Sequence, residues 1–586
     1  VKCWGRNSVG QLGIGDENDR GKSANTMGDF LPYLDLGSGR RVASVSTGHS
    51  HACAVLADGA VKCWGDNRYG QLGLGDSTGR GSHPSDMGDA LPAVDLGAGR
   101  TAVSVSCGYY HSCVVLDDAS VKCWGDNAHG QLGLGDAVGR GDGSSEMGDD
   151  LPGVDLGGRT AVSVSTGERH TCALLSDGGA VCWGGNGYGQ LGYGDLASRG
   201  DSAGSMGASL ARVDLGFGTF PSVVELSLIT SGFPNYPSVV DQAAKDSLIG
   251  FRISGDQPGD LAGSVVAGLH DVNGDGVCDV MMSAPGASVL TDGDAVSVAY
   301  VLYGSFAGFG MHLNASDIDG SNGFIVAGRR RDGGIYSLAS SGDLNDDMLS
   351  DVLIGMPYSA ENGEVGSGVA HVLYGRSVAP IVSVAVGSRH SCVVQGTGYV
   401  KCWGRNTGGQ LGLGDKDGRG DHGSEMGRYL PDVSVGYRLK VVSVSAGESF
   451  TCVLLDDNSV KCWGENGFGQ LGLGDSSPRG DGAGEMGDTL PSVDLGSDRS
   501  ATSMSSGFTH VCVVLDDQSV KCWGSNSNGE LGQGNTAPRG LSSGSMGDAL
   551  PSVSFGTGVR VVSVSSGSQF SCAVMDDQLV KCWGRN

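Results

Sequence analysis

The sequence predicts an all-β repeat fold, a seven-bladed β-propeller of four-stranded blades, and three observations predict it. A Cys-Trp-Gly motif, usually extended to Val-Lys-Cys-Trp-Gly, holds all eight tryptophans: Trp4, Trp64, Trp124, Trp183, Trp403, Trp463, Trp523 and Trp583. The steps between them are 60, 60, 59, 220, 60, 60 and 60 residues, and a period of this size marks a repeat architecture. Glycine supplies 105 of the 586 residues, as a chain of tight turns requires, and no stretch keeps a helical period. The long step is one period plus an insertion, which divides the chain into residues 1–218, 219–380 and 381–586.

One unit reads in full at residues 41–100. Val42-Ala-Ser-Val-Ser alternates apolar and polar residues as a half-buried strand does. His51-Ala-Cys-Ala-Val-Leu56 is a second strand, Ala57-Asp58-Gly59 a hairpin loop with glycine where positive φ is wanted, and Val61-Lys-Cys-Trp64 the return strand. Asn67 to Asp76 is glycine-punctuated turn, and Leu91-Pro-Ala-Val-Asp-Leu96 is expected as a fourth short strand. Four short antiparallel strands per period is the blade of a propeller. Residues 5–583 hold seven such periods. The chain starts and stops with the same seven residues, Val-Lys-Cys-Trp-Gly-Arg-Asn. Two readings fit this: a fragment of a longer array, or a ring closed by pairing the two ends.

Fourteen of the 17 cysteines form pairs ten residues apart: Cys53/Cys63, Cys113/Cys123, Cys172/Cys182, Cys392/Cys402, Cys452/Cys462, Cys512/Cys522 and Cys572/Cys582. Each pair is symmetric about its hairpin loop, so its members lie opposite each other on one face, at a separation that permits a disulfide. Zinc would favour clustered Cys and His ligands, whereas these pairs are separated by a blade width. Disulfides are therefore expected, and with them an extracellular, secreted or cell-surface setting. Cys3, Cys107 and Cys278 are left over. Each tryptophan from Trp64 onward falls opposite a small residue on the other face: Ala52, Ser112, Thr171, Ser391, Thr451, Val511 or Ser571. No apolar run approaches the length of a membrane span, and the start of the chain hides any signal peptide.

Gly-Gln-Leu-Gly-Leu-Gly-Asp at 70–76, with Cys-Trp-Gly-Asp-Asn at 63–67 and Ser-Thr-Gly-His-Ser-His at 46–51, resembles the regulator-of-chromosome-condensation repeat. The resemblance covers seven units and implies a seven-bladed propeller used mainly for protein–protein recognition. The best-known activity in that family is nucleotide exchange on a small nuclear GTPase. This chain departs from it in its cysteine ladder and in a net charge of −27 without a basic tail. Such a charge argues against nucleic acid and anionic membranes as partners.

The insertion carries a different chemistry. Gly250-Phe251 leads to an Asp-x-Asn-x-Asp-Gly-x-x-Asp run beginning at Asp271, then to Ser283-Ala-Pro285. Gly323-Phe324 leads to a related run beginning at Asp343, then to Gly355-Met-Pro357. Oxygen ligands at alternate positions suit a hard cation of Ca²⁺ size; a carboxylate-rich surface turn holding no ion is the alternative. The region resembles the phenylalanine-glycine/glycine-alanine-proline repeats of integrin α-subunit propellers. That resemblance implies one calcium ion held by Asp271, Asn273, Asp275, the Val277 carbonyl and Asp279. It implies a second held by Asp343, Asn345, Asp347, the Leu349 carbonyl and Asp351. The second loop has Met348 at the sharp-turn position where the first has Gly276. Either an appendage or a larger ring fits two extra blades.

Other residues invite a functional reading and resist it. His51, His111, His170, His390 and His510 share one repeat position, but Phe450 and Phe570 occupy it in two units, so the histidines are expected to pack. Arg-Gly-Asp occurs at 140–142, 199–201, 419–421 and 479–481, yet equivalent sites read Arg20-Gly-Lys, Arg80-Gly-Ser and Arg539-Gly-Leu. The Arg-Gly part therefore belongs to the repeat. Lys62 and its equivalents are read as exposed strand lysines. Asn314-Ala-Ser316 is the sole glycosylation sequon. No catalytic constellation emerges. The leading expectation is an extracellular, disulfide-laced module that binds a protein or glycan and carries a calcium-ordered insert. A GTPase exchange factor, and an enzyme or enzyme inhibitor, are the alternatives.

Overall fold

The computed structural model describes residues 2–3, 7–215 and 380–584 apart from 19, 24–25, 557 and 577–579, with parts of the stretch 223–373. The chain divides into two compact units, Val1–Gly216 with Pro380–Asn586, and Phe217–Ala379.

In the first unit the repeat folds as an antiparallel three-stranded sheet. Strand Val42–Thr47 pairs with His51–Leu56, which pairs with Val61–Gly65. The same pattern recurs from Ala102, Ala161, Ile381, Val441, Ala501 and Val561. The hairpin register places Cys53 opposite Cys63 and Ala52 opposite Trp64. A bulge between Val42 and Ser44 leaves Ala43 unpaired and exposed while Val42 stays in the core. Gly59 closes the hairpin at φ +78°, and Ala119, Asn458 and Gln518 take the same left-handed conformation at its equivalents. The last sheet gains a fourth strand, Lys2–Cys3, parallel to Val580–Gly584.

The expected fourth strand of the other units is absent. Leu91–Leu96 is extended, but its tie to the neighbouring strand is one hydrogen bond, from Val94 N–H to Val61 O at 2.8 Å. Pro92 lacks a donor, and Leu91, Val94 and Leu96 turn inward, so the segment packs rather than pairs. A 3₁₀ turn, Gly88–Ala90, precedes it.

Among the described residues the strand lysines are buried, or half-buried at Lys122, against expectation. Lys62 is 6% exposed, and its ammonium donates to Leu36 O at 2.8 Å and Gly88 O at 2.9 Å. Lys122, Lys461 and Lys521 bridge the matching carbonyl pairs of their own units. The charge is tolerated because it satisfies backbone acceptors inside a turn. Burial still holds Lys62, Lys122, Lys461 and Lys521 below the usual lysine range. Where Val181 replaces the lysine, Arg159 reaches in and donates to Leu156 O at 2.5 Å, Gly207 O at 3.2 Å and Leu210 O at 2.8 Å.

The cores lie between adjacent sheets. One cluster joins Leu12 to Leu91 with Cys512 to Met575, so the first and last repeats pack against each other. Each described tryptophan from Trp64 to Trp523 is fully buried, and its indole N–H donates to a glutamine carbonyl of the preceding repeat, as Trp64 does to Gln11 O at 3.0 Å.

The second unit contains a mixed five-stranded sheet in the order Val223–Glu225, Gly323–Gly328, Ser297–Leu302, Val280–Ala284, Val266–Gly268. A three-stranded sheet, Ser337–Gly342, Asp351–Met356 and Val369–Leu373, shares one core with it through Met281, Val301, Phe324, Val352 and Ile354.

Candidate functional site

The joint between neighbouring sheets is chemically coded. His51 Nε2 lies 2.9 Å from Ser112 Oγ, the small residue that faces Trp124 in the next repeat. His111 meets Thr171, His170 meets Ser391, His390 meets Thr451, and His510 meets Ser571, at 2.8–3.1 Å. Ser112 Oγ also donates to Gln71 O at 3.0 Å, so it accepts from His51 Nε2–H and fixes that tautomer. Nδ1 of each of these histidines is buried without a hydrogen-bond partner. Burial consequently pushes His51 and His390 down to about 4, and His111, His170 and His510 to about 3. The exceptions obey the same code. Phe450 and Val511 share one core cluster, and Phe570 and Ala52 share another, so an apolar ring replaces histidine where the hydroxyl is absent. The expectation that the histidines pack holds, with a hydrogen bond added.

The loops between first and second strands converge on one pocket of about 120 Å³, lined by three residues from each of the seven repeats. Its floor is a chain of backbone hydrogen bonds passing from repeat to repeat. His49 N–H donates to Gly108 O, Tyr109 to Gly167 O, Ser388 to Gly447 O, Glu448 to Phe508 O, Phe508 to Gly567 O, and Ser568 back to Gly48 O, at 3.1–3.3 Å. The glycines are required here: a Cβ on Gly48 would lie 2.3 Å from Gly108 O.

The side chain after each glycine varies, giving His49, Tyr109, Glu168, Ser388, Glu448, Phe508 and Ser568. One sector is aromatic. His49 stacks on Tyr109 at 4.0 Å, Tyr109 meets Tyr110 at 5.1 Å and Phe508 at 6.1 Å, and Tyr110 meets Tyr69 at 4.8 Å. Another is charged. Arg389 Nε lies 3.1 Å from Glu168 Oε2, and its Nη1 donates to the Tyr188 hydroxyl at 3.1 Å. Burial, then Glu465, hold the Glu448 carboxyl above the usual range. Burial and neighbouring Tyr110, Glu168 and Glu448 push the Tyr109 phenol up to about 12. Sequence reading passed over these residues because they are the positions that break the repeat; that variation within Gly-x-x-His was the available signal.

Six cysteine pairs form disulfides: Cys53–Cys63, Cys113–Cys123, Cys172–Cys182, Cys392–Cys402, Cys452–Cys462 and Cys512–Cys522. Cys572 is also disulfide-bonded and lies opposite Cys582 in register. Cys107 is free and buried, its thiol pushed up to about 12 by desolvation. It clusters with His51 and Cys53 within 4.8 Å. The Cys53 sulfur is bonded to Cys63, which leaves this cluster fewer than three ligands for a metal. Cys278 lies outside the described residues.

Of the expected calcium ligands, Asp271, Asn273, Asp275, Val277, Asp343, Asn345, Asp347 and Leu349 lie outside the described residues. Asp279 and Asp351 are described, and both are buried at or beside the start of a strand, Val280–Ala284 and Asp351–Met356. Asp279 Oδ2 accepts the Val272 N–H at 2.7 Å. Arg140, Arg199, Arg419 and Arg479 of the Arg-Gly-Asp sequences each pair with the aspartate four residues earlier at 2.6–2.7 Å. They are repeat staples, as expected. No helix among the described residues is long and apolar enough to cross a membrane.

Comparison with known proteins agrees with this geometry. Regulator of chromosome condensation (RCC1) repeat models match residues 42–71, 102–131, 161–190, 381–410, 441–470, 501–530 and 561–586, and a second such model matches 3–55, 58–115 and 397–454. The chain is 34% identical over 200 residues to the ultraviolet-B receptor UVR8 of Arabidopsis thaliana, covering 33% of this chain and 39% of UVR8. It is 34% identical over 155 residues to the probable E3 ubiquitin-protein ligase HERC4 of Homo sapiens, covering 26% of this chain and 13% of HERC4. The chain thus spans well under half the length of these relatives. Among solved structures, human WBSCR16 aligns with a TM-score of 0.50 at 14% identity, covering 100% of this chain and 98% of that one. Prp20p of Saccharomyces cerevisiae, described with its binding properties to Gsp1p and histones, aligns with a TM-score of 0.50 at 13% identity, covering 100% and 91%. With seven repeats matched and a shared all-β propeller fold, the chain belongs to the family of proteins built from RCC1 repeats.

Proposed function

We propose that the first unit closes as a seven-bladed disc and acts as a protein-binding module whose contact surface is the pocketed face. The observation that carries this reading is the contrast within each repeat. Structural positions repeat almost unchanged, whereas the residues that ring the pocket differ from unit to unit and bring aromatic and charged side chains together. A surface freed from the repeat's packing rules is where recognition is placed. The disulfide ladder favours an extracellular, secreted or cell-surface location. The second unit is read as two integrin-type repeats that hold calcium. Asp279 and Asp351, buried and near matched strand starts, are the described members of that ligand set, and the ion would order the loops that supply the rest.

The test is affinity capture from an extracellular preparation with the intact protein and with a Tyr109→Ser/Phe508→Ser variant. The reading expects partners that the variant loses; partners retained equally by both would overturn it. The likeness to Prp20p favours a second reading, nucleotide exchange on a small GTPase. Accelerated nucleotide release from such a GTPase by the disulfide-intact protein would establish that reading instead.

A further inference from the structure

We propose that the central pocket captures a cationic side chain, arginine or lysine, presented by a protein partner, beside the Tyr109 and Phe508 rings and against the Glu448 carboxylate. This rests on the pocketed face being the contact surface, and it names the chemistry that face selects.

The chain holds its own filled example beside the pocket. The Arg389 guanidinium pairs with Glu168 at 3.1 Å, donates to Tyr188 at 3.1 Å and lies 5.1 Å from the centre of the Tyr188 ring. That is a carboxylate and an aromatic face sharing one cation. Glu448, Tyr109 and Phe508 repeat the combination without the cation. The Glu448 backbone N–H donates to Phe508 O, which ties the two residues together. Tyr109 meets Phe508 at 6.1 Å, and all three line the pocket.

Among the described residues the Glu448 carboxylate makes no ion pair. The nearby cations are engaged elsewhere: Arg389 as above, and Arg405 with Thr407 Oγ1 at 2.9 Å and the Tyr188 ring at 5.7 Å. Burial and then Glu465 work against the charge of the half-buried Glu448, Arg389 and Arg405 favour it from nearby, and a partner's positive charge in contact stabilises it further. A net charge of −27 draws cationic partners toward the disc from a distance.

The experiment titrates the full, disulfide-intact chain with the pentapeptide acetyl-Gly-Gly-Arg-Gly-Gly-amide and with its citrulline counterpart, which keeps the shape and lacks the charge. Nuclear magnetic resonance of tyrosine-labelled protein reads the occupancy. The arginine peptide is expected to shift the Tyr109 signal and to bind at least tenfold better than the citrulline peptide. Glu448→Gln should erase most of that ratio with an unchanged melting temperature, while Glu168→Gln should leave it. Equal binding of the two peptides, or binding of neither, overturns the cation proposal. If captured partners still depend on Tyr109 and Phe508 in that case, the contact-surface reading survives alone.

Discussion

Acid should unfold the first unit through its inter-sheet histidines, and one joint suffices to test this. An unfolded histidine titrates near ~6.5, whereas His51 is held at about 4 in the fold by burial. Between those values the unfolded chain binds more protons. Stability is therefore complete above about pH 6.5 and is lost as pH falls toward 4. At pH 4.5 the difference for His51 alone is about 2 kcal/mol. Five histidines share the environment, so their sum is on the order of 10 kcal/mol, comparable to the whole stability of a domain. The perturbation is His51→Phe with Ser112→Ala, which copies the apolar joint made by Phe570 and Ala52. Denaturant unfolding with disulfides intact, run at pH 7 and pH 4.5, reads the effect, and potentiometry counts protons taken up. The variant should match the parent at pH 7 within about 1 kcal/mol, lose about 2 kcal/mol less on acidification and take up one proton fewer on unfolding. An identical pH dependence in parent and variant would refute the reasoning.

Other perturbations test the remaining structure. Reduction should lower the melting temperature steeply, because each hairpin disulfide contributes roughly 2–3 kcal/mol; an unchanged melt in reductant rules the ladder out as a stabiliser. Lys62→Met should cost about 2 kcal/mol, since the Leu36 and Gly88 carbonyls stay buried without their donor. Arg159→Ala should cost as much as the lysine variant although Arg159 sits in a loop, and a loss below about 0.5 kcal/mol, the ordinary surface value, counts against its role. Chelation should speed proteolysis within residues 245–376 before any cleavage of the first unit, and cleavage insensitive to EDTA there tells against bound calcium.

The legible part of the fold was the part dictated by local chemistry. Cys53 and Cys63 flank a hairpin symmetrically, so their pairing and the Ala52–Trp64 opposition follow from strand geometry alone. The fourth strand was misread because Leu91, Val94 and Leu96 supply an apolar pattern. Pattern reports burial and not hydrogen bonding, and Pro92 withholds a donor. The lysines were misread for a related reason. Lys62 looks like a solvent-facing strand residue until Leu36 and Gly88, from two connecting segments, bring carbonyls over it. The pocket was invisible because its members come from seven repeats, 59 or 60 residues apart and 220 across the insertion, at positions where the side chain varies freely.

The histidine joints carry information that no single repeat contains. Each unit presents a ring, His or Phe, on its second strand, and a facing residue, hydroxyl-bearing or apolar, opposite its tryptophan. Phe450 belongs beside Val511 and Phe570 beside Ala52. His390 seated against Val511 would leave Nε2–H buried without an acceptor, at a cost of about 1–3 kcal/mol. Seven near-identical units could otherwise dock in many orders. A code of this kind penalises exchanges across the Phe joints and leaves the hydroxyl-receiving units interchangeable. It follows that the order of the repeats is fixed by chain connectivity where the joints are alike, and by side-chain chemistry where they differ. Exchanging Phe450 and His510 should therefore destabilise the first unit by more than either repeat's own packing predicts, and adding Val511→Ser with Ser571→Val should recover it.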